Sequence, residues 1–160
     1  MSESFLAVQD FYAEEFAWCY GCGRLNGAGH HFRTRWDGEE TLTVFEPGPE
    51  YTAIPGFVYG GLLAALIDCH STGSGALALH RQDGHVLGDG AATPRCVTGS
   101  LKVDYLKPTP LGVPLVARGT IAEVGARKVR VVSELTAGGL VTARGDVIAV
   151  RVPENFGQSN

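Results

Sequence analysis

The sequence predicts an α+β domain in which a mostly antiparallel β-sheet wraps around one long central helix. Three observations predict it: an early hairpin signal, one long apolar helical stretch after it, and a series of strand signals in the C-terminal half. A hairpin, a buried helix and a strand meander in that order are typical of a sheet packed on a single helix. The 160 residues are 44% hydrophobic and 19% charged, which suits one folded domain with a substantial core.

We expect the chain to be organised in three segments. Residues 1–29 form an N-terminal helical arm that ends in a glycine-rich turn, residues 30–153 form the main domain, and residues 154–160 form a C-terminal tail. Aromatic side chains of the arm are expected to dock on the core: Phe5, Phe11, Tyr12 and Phe16.

The predicted hairpin lies at the start of the main domain. Apolar and polar side chains alternate over residues 32–36 and again over residues 41–44, which is the period of a β-strand. Asp37-Gly38 lies between the two runs and is a strong signal for a two-residue hairpin turn.

The segment from Leu62 to His80 predicts the central helix. It is apolar on nearly every side at its start, so we expect it to be buried rather than half-solvated. Gly73 and Gly75 lower the helix propensity of its second half, which leaves open a bend or an early end there.

Strand signals follow a polar, glycine-rich loop over residues 80–95. The first ends at Lys107-Pro108, and turns are expected at residues 125–127 and at Gly138-Gly139. Four strands are expected, at residues 97–105, 113–124, 129–135 and 141–152.

Charge and hydropathy exclude several classes of function. A formal net charge of -4 argues against a nucleic-acid-binding surface. The longest uninterrupted apolar run, Leu62–Ile67, is far shorter than the roughly 20 residues needed to span a bilayer. The acidic N-terminus lacks the features of a signal peptide. We therefore expect no nucleic-acid partner, no membrane partner and a cytoplasmic location with reduced cysteines.

The Cys19-Tyr20-Gly21-Cys22 segment has the spacing of a metal knuckle or a redox motif. A zinc ribbon needs a second pair and a thioredoxin-like site needs a βαβ context, whereas Cys69 and Cys96 stand alone in the sequence. We interpret the segment as a structural turn tightened by its glycines. A metal site shared between subunits remains the alternative, and no cofactor is predicted.

Two features of the central helix point to chemistry. Asp68 lies in its apolar middle, where burying a carboxylate costs free energy unless the group is paired or has a catalytic role. Backbone or tyrosine hydrogen-bond partners would also satisfy it. Gly60-Gly61 opens the helix with free N–H groups that, with the positive end of the helix dipole, can hold an oxyanion. Eight residues of helix rise about 12 Å, so Asp68 cannot reach a carbonyl held at its own helix N-terminus. The two features form one site only if two such helices lie antiparallel across a two-fold axis; otherwise they are unrelated.

At these residues the sequence resembles the hotdog-fold acyl-CoA thioesterases of the phenylacetate-pathway and human thioesterase-superfamily type. The family motif is a Gly-Gly that opens the central helix, with an acid eight residues after its first glycine, as in Gly60-Gly61 and Asp68. CVTGSLKVDYLKPTP, residues 96–110, is similar to the family's strand with a Thr or Ser seven residues before a Tyr. CYGCGRLNGAG is similar to an N-terminal segment of many members, and the resemblance covers most of residues 19–152.

The resemblance implies a hotdog fold that hydrolyses a small, medium or aryl acyl-CoA. In that interpretation the Gly61 N–H polarises the thioester carbonyl, and Asp68 acts as general base or nucleophile. Thr98, reaching across the dimer, orients the water or the acid. The implied assembly is a homodimer, with a homotetramer built as a dimer of dimers also open.

Two departures from the family pattern keep rival functions open. Tyr59 stands where the family usually has a His before the Gly-Gly, and Ala53 stands where some relatives carry an Asn. Loss of the family's His and Asn at these two positions would suit a non-catalytic acyl-CoA-binding module. The third candidate is a hotdog enoyl-CoA hydratase or dehydratase, but the Asp–His pair that such enzymes need is not found around Asp68. His70 points away from Asp68 on a helix, so we interpret it as structural.

Further residues are predicted to bind the substrate. Tyr59 and Gly60 adjoin the expected oxyanion site. A CoA thioester carries three phosphate groups, and we expect basic side chains at a strand end and a hairpin to contact them, although solvated surface charge is the alternative for each. These side chains are Lys107, Arg127, Lys128 and Arg130.

Overall fold

The computed structural model describes residues 5–156 and contains one α-helix and six β-strands. Residues 1–4 of the predicted arm and residues 157–160 of the predicted tail lie outside the described residues. The helices and strands are β1 Thr34–Asp37, β2 Glu40–Phe45, α1 Gly60–Gln82, β3 Cys96–Tyr105, β4 Leu115–Val124, β5 Lys128–Ala137 and β6 Leu140–Arg151.

The six strands form one sheet in the order β1-β2-β4-β5-β6-β3, and every neighbouring pair is antiparallel. This arrangement with one long helix confirms the predicted fold class. Gly138 and Gly139 have φ values of 59° and 78°, which the two-residue turn between β5 and β6 requires. β3 pairs only with β6 among the described strands, so it forms an edge of the sheet.

The first hairpin turn lies one residue later than the sequence predicts. Asp37 pairs with Glu40, so Gly38 and Glu39 are the central residues of the turn. Gly38 has a φ of 64°, and a glycine is favoured at the first central position of this kind of hairpin.

Helix α1 runs without interruption through Gly73 and Gly75, so the open alternative of an early end is wrong. Both glycines lie where other elements approach the helix backbone. A Cβ on Gly73 would lie 2.8 Å from Gln9 Nε2, and a Cβ on Gly75 would lie 2.8 Å from the Ala149 Cβ. Close packing explains these two glycines.

The sheet covers the helix with two apolar clusters. The cluster around the first half of α1 includes Leu62, Leu66 and Leu135, and the cluster around its second half includes Leu77 and Val131. Because both halves are enclosed, α1 is apolar nearly all round. It is long and apolar enough to cross a bilayer by length and composition alone, but 83% of its most apolar stretch is buried inside the protein.

The N-terminal arm is less helical than predicted. Its described part contains only two short 3₁₀ turns, Val8–Phe11 and Glu14–Phe16. Val8 and Tyr12 dock on the second half of α1 with 0% and 2% of their surface exposed, whereas Phe5 remains 52% exposed. The predicted docking by aromatic residues is therefore made mainly through Tyr12.

Candidate active site

Asp68 lies on α1 at the side of the helix that faces the edge strand β3. The Thr98 hydroxyl donates a hydrogen bond to Asp68 Oδ1. No Lys, Arg or His of residues 5–156 forms an ion pair with this carboxylate. Burial raises the pKa of the Asp68 carboxyl above its ordinary value, while the Thr98 hydrogen bond acts in the opposite direction. The site therefore holds a carboxylate with a raised pKa and one hydroxyl partner.

A β-bulge at Gly99 gives Thr98 its orientation. Thr98 pairs with Ala149 and Ser100 pairs with Ile148, so Gly99 is an extra residue in the ladder between β3 and β6. The extra residue changes the parity of the strand, and Thr98 and Leu101 consequently lie on the same face. Thr98 contacts Asp68 of its own chain, so this hydrogen bond requires no second subunit, and a role for Thr98 across a dimer stays a prediction.

The N-terminus of α1 presents free backbone N–H groups. Tyr59 is the N-cap residue and its side chain makes no capping hydrogen bond. The first N–H groups of a helix have no partner within the helix, so those of Gly60 and Gly61 are available to an acceptor from outside. The Tyr105 hydroxyl donates a 2.8 Å hydrogen bond to the Gly60 carbonyl, which ties the start of α1 to the end of β3.

Gly61 and Asp68 do not meet within one chain. Seven residues of helix separate them by about 10 Å. A Cβ on Gly61 would lie 2.5 Å from the Tyr59 ring, so the ring occupies the space directly beside this backbone. Tyr59 is 40% exposed, and its ring is parallel to that of Tyr51 with 6.3 Å between the centroids. The Ala53 N–H donates to the Phe57 carbonyl in the loop before the helix.

The four basic residues predicted to contact phosphates do not lie together. Lys107 borders a cleft of about 290 Å³ that also includes Gly60. Arg127 and Lys128 belong to the hairpin at the opposite end of α1, where Gln82 Nε2 donates to the Gly125 carbonyl.

Arg130 on β5 forms an ion pair with Asp146 on the neighbouring strand β6. Its guanidinium donates two hydrogen bonds, of 3.0 and 2.8 Å, to the Asp146 carboxylate. It is thus already engaged in an ion pair on the sheet surface, a partner that the sequence alone did not indicate.

His70 is structural, as its position on the helix predicts. It has no exposed surface, its Nδ1 lies 2.8 Å from Thr43 Oγ1, and its Nε2 lies 3.4 Å from Thr41 Oγ1. Burial lowers the pKa of His70 to about 3, so the ring is neutral near pH 7. It makes no contact with Asp68 among the hydrogen bonds of the described residues.

Three thiols beside the candidate site form a cluster that the sequence does not predict. The ligand atoms of Cys19, Cys22 and Cys69 all lie within 4.8 Å of one another, so Cys69 does not stand alone as predicted. Cys69 directly follows Asp68 on α1. No local spacing in the sequence indicates this cluster, because the fold brings a helix residue to a distant loop.

A larger depression lies elsewhere and contains none of the predicted site residues. It measures about 610 Å³ and lies on the outer face of the sheet, where Val116 and Arg118 alternate with the buried Leu115 and Ala117. Its charged lining includes Glu134. Volume alone therefore does not identify the site, and the carboxylate and the free helix N-terminus remain the chemically competent groups.

Comparison with known proteins gives one consistent result. Residues 55–144 match the sequence profile of the Thioesterase superfamily. The chain is 36% identical over 88 residues to the acyl-coenzyme A thioesterase THEM4 of Xenopus laevis, and 30% identical over 90 residues to that of Mus musculus. These matches cover 55% and 56% of this chain but only 33% of each relative.

Solved structures agree with the sequence relatives. A thioesterase superfamily protein from Shewanella loihica is 44% identical, with a TM-score of 0.69 over 91% of this chain and 99% of that one. A phenylacetic acid degradation-related protein from Ralstonia eutropha is 22% identical, with a TM-score of 0.58 over 77% of this chain and 86% of that one, and shows the same fold.

Proposed function

The chain belongs to the thioesterase superfamily, and from this premise we propose that it hydrolyses an acyl-coenzyme A thioester with Asp68 as its catalytic carboxylate. Two of its relatives are named acyl-coenzyme A thioesterases, which supports the coenzyme A ester as the substrate class. Small, medium and aryl acyl groups are the candidates for the acyl part.

The observation that carries the proposal is the environment of Asp68. Its carboxylate forms no ion pair among residues 5–156, and its hydrogen bond comes from the neutral Thr98 hydroxyl. Burial raises its pKa against the opposing effects of that hydrogen bond and of the Arg95 charge. A carboxylate kept for structure usually acquires a cation or several N–H donors, whereas a general base benefits from a pKa raised towards the working pH.

The reaction can follow two routes from this carboxylate. As general base, Asp68 takes a proton from water, the hydroxide attacks the thioester carbonyl, and the tetrahedral intermediate expels the CoA thiolate, which receives the proton. As nucleophile, Asp68 attacks the carbonyl directly, expels the thiolate and forms a mixed anhydride that water then hydrolyses. In both routes the carbonyl oxygen gains negative charge, and the Gly61 N–H is the proposed donor that stabilises it.

We propose that the Gly61 donor comes from a second copy of the chain. About 10 Å of helix separates Gly61 from Asp68 in one chain, which is too far for one carbonyl to contact both. Among the described strands β3 pairs only with β6, which leaves its other edge unpaired, and β3 carries exposed apolar side chains, with Leu101 42% and Tyr105 54% exposed. Pairing two such edges around a two-fold axis would cover these side chains and bring the two helices close together.

The remaining substrate contacts are proposed from the positions of the basic side chains in the fold. Lys107 adjoins the cleft at the start of α1, next to Gly60, and suits a phosphate of the CoA moiety. Arg127 and Lys128 lie at the other end of α1, so they would serve a substrate only if a partner brings that end to the site. Arg130 is the weakest candidate, because Asp146 already pairs with it.

The four free cysteines support the expected cytoplasmic location.

Tyr59 supports one alternative function, that of a non-catalytic acyl-CoA-binding module. Its ring occupies the space beside Gly61, where the family usually has a His. If the ring blocks water, acyl-CoA would bind without being cleaved.

Release of CoA from a panel of short, medium, long and aryl acyl-CoAs tests the proposal. We expect turnover by the wild type, and a decrease in kcat of about 100- to 10,000-fold in Asp68→Asn, the range for loss of a general base. Asp104→Asn is the matched control, because Asp104 is an exposed carboxylate at the outer-face depression. Binding of acyl-CoA without turnover of any substrate would favour the binding module and overturn the hydrolase.

A further inference from the structure

A cluster of three thiols lies beside the candidate site and has no role in the proposed hydrolysis. Cys19 and Cys22 come from the loop after the N-terminal 3₁₀ turns, and Cys69 comes from α1. Cys22 and Cys69 are buried, and Cys19 is partly exposed. No disulfide links them, and Cys19 Sγ lies 4.0 Å from Cys69 Sγ.

The spacing of the sulfur atoms suits one metal ion better than a disulfide. In a tetrahedral zinc site with Zn–S bonds of about 2.3 Å, the sulfur atoms lie about 3.8 Å apart. The three sulfur atoms here lie within 4.8 Å of one another, so small side-chain movements would place all three on one ion. A disulfide would use two sulfur atoms and leave the third without a function.

The loop around Cys19 is built like a metal-binding knuckle. The Gly23 N–H donates a 2.7 Å hydrogen bond to the Cys19 carbonyl and closes a tight turn. A Cβ on Gly21 would overlap the Cys69 sulfur, so a glycine is required for the approach of the third thiol. The loop and the helix therefore bring together three cysteine side chains, which bind metal ions as thiolates.

Arg95 supplies a charge that fits an anionic cluster. Arg95 borders the same cleft as Cys19, and the electrostatic partners of its guanidinium include Tyr12 and the three thiols Cys19, Cys22 and Cys69. It forms no ion pair with a carboxylate of residues 5–156, and its hydrogen bonds go to the Phe16 and Cys96 carbonyls. A divalent ion with three thiolates carries one net negative charge, which the guanidinium would balance.

We propose that Cys19, Cys22 and Cys69 of one chain bind a single Zn²⁺ ion through their thiolates. Cys19 and Arg95 border a cleft of about 230 Å³, from which a water molecule would complete the coordination of the ion. All three ligands come from one chain, in contrast to the site shared between subunits that the sequence left open. Binding releases thiol protons to the solvent and ties the N-terminal loop to α1 at the residue after Asp68.

Metal titration of the full-length chain, reduced and stripped with a chelator, tests this proposal. Co²⁺ serves as the spectroscopic probe, because thiolate ligands give it charge-transfer absorption in the near ultraviolet and a tetrahedral site gives it intense visible bands. We expect one Co²⁺ per chain with thiolate charge transfer, displacement by one Zn²⁺, and a higher Tm of the metal-bound protein.

Single cysteine variants assign the ligands. Cys19→Ser, Cys22→Ser and Cys69→Ser should each weaken Zn²⁺ binding by more than the ~10- to 100-fold caused by loss of an outer-shell partner. Cys96→Ser, the matched control, changes a buried free cysteine outside the cluster and should keep wild-type affinity. Cys19 is partly exposed, so its variant should fold even if Cys69→Ser does not.

The readouts are independent of hydrolysis, so failure of one proposal is distinguishable from failure of the other. Absence of a thiolate charge-transfer band in the folded, reduced wild type would overturn the metal site. So would equal Zn²⁺ affinity in Cys19→Ser, or a Cys19–Cys69 disulfide that forms in place of metal binding once the reductant is removed.

Discussion

At the scale of single residues, Asp68 is held in surroundings that disfavour its charge. Burial raises its pKa, and the Thr98 hydroxyl stabilises the ionised form in part. The carboxylate must be ionised to act as base or nucleophile, so the rate should rise with pH through this raised pKa. The acid limb of the pH–rate profile should therefore lie above the value of about 3.9 for an ordinary Asp.

Removal of the Thr98 hydroxyl should move that acid limb further. Thr98→Val keeps the shape of the side chain but removes the hydrogen bond to the carboxylate, so the pKa of Asp68 should rise. We expect the acid limb of kcat/KM to shift to higher pH in Thr98→Val and to return in Thr98→Ser. If the pH–rate profile of Thr98→Val is the same as that of the wild type, the hydroxyl does not influence the reacting carboxylate.

The burial that raises the pKa of Asp68 should also lower the free energy of unfolding at neutral pH. A carboxyl with a higher pKa in the folded state binds its proton more tightly when folded. Its contribution to the free energy of unfolding is greatest below the unfolded pKa and declines as pH rises through the folded pKa. Asp68→Asn removes this decline, so at neutral pH it should be more stable than the wild type by about 0.5–2 kcal/mol, the range of single stabilising substitutions.

Urea unfolding at a fixed protomer concentration measures this difference. The advantage of Asp68→Asn should disappear at acid pH, where the wild-type carboxyl is also neutral. Asp104→Asn should change the free energy of unfolding by less than about 0.5 kcal/mol at either pH. If Asp68→Asn is the less stable protein at neutral pH, the carboxylate has a structural role.

The residues of the site were only partly predictable from the sequence. Asp68, Thr98 and Gly61 were identified by motif, but the contact of Thr98 with its own chain's acid depends on the bulge at Gly99, which alternation over β3 does not reveal. The thiol cluster depends on the packing of Cys69 against a distant loop. Both features are tertiary, and local spacing contains no information about them.

At the scale of elements, the close approach of β6 to α1 explains a glycine that helix propensity disfavours. A Cβ on Gly75 would lie 2.8 Å from the Ala149 Cβ, with Cys96 and Val129 also close. Gly75→Ala raises the intrinsic helix propensity, yet overpacking should lower the free energy of unfolding by about 1–3 kcal/mol.

A compensating substitution controls for other effects of that change. Ala149→Gly removes the opposing methyl group, so the double variant should recover part of the stability that Gly75→Ala loses. Chemical denaturation of the two single variants and the double variant provides the measurement. Additive losses in the double variant would place the strain elsewhere.

The helix and the strands were predictable because each has a clear period, whereas the arm was not. Period-two alternation located β1 and β2, and the apolar run located α1. The arm contains only short 3₁₀ turns, whose side chains pack on α1 one at a time and leave no periodic pattern. The composition of the arm predicts a helix, but the arm lacks the periodic packing that stabilises one.

At the scale of the whole molecule, the exposed edge of β3 and the separation of Gly61 from Asp68 both point to a second copy. Unpaired strand edges with apolar side chains are normally covered. A two-fold pair of chains would contain two equivalent sites, each with Asp68 of one subunit and the Gly61 N–H of the other.

Subunit complementation tests this shared hydrolytic site most directly. Asp68→Asn lacks the carboxylate, and in Gly61→Val the new side chain meets the Tyr59 ring and crowds the helix N-terminus. Each variant alone should be nearly inactive. Mixing equal amounts under conditions that exchange subunits creates heterodimers in which one of the two sites has both wild-type groups.

With random exchange, half of the dimers are heterodimers, so acyl-CoA turnover should recover to about a quarter of the wild-type value. Native mass spectrometry establishes that heterodimers form. Recovery to that level would show that Asp68 and Gly61 act together across the interface. A mixture with heterodimers present but no more activity than its parents would contradict the shared site.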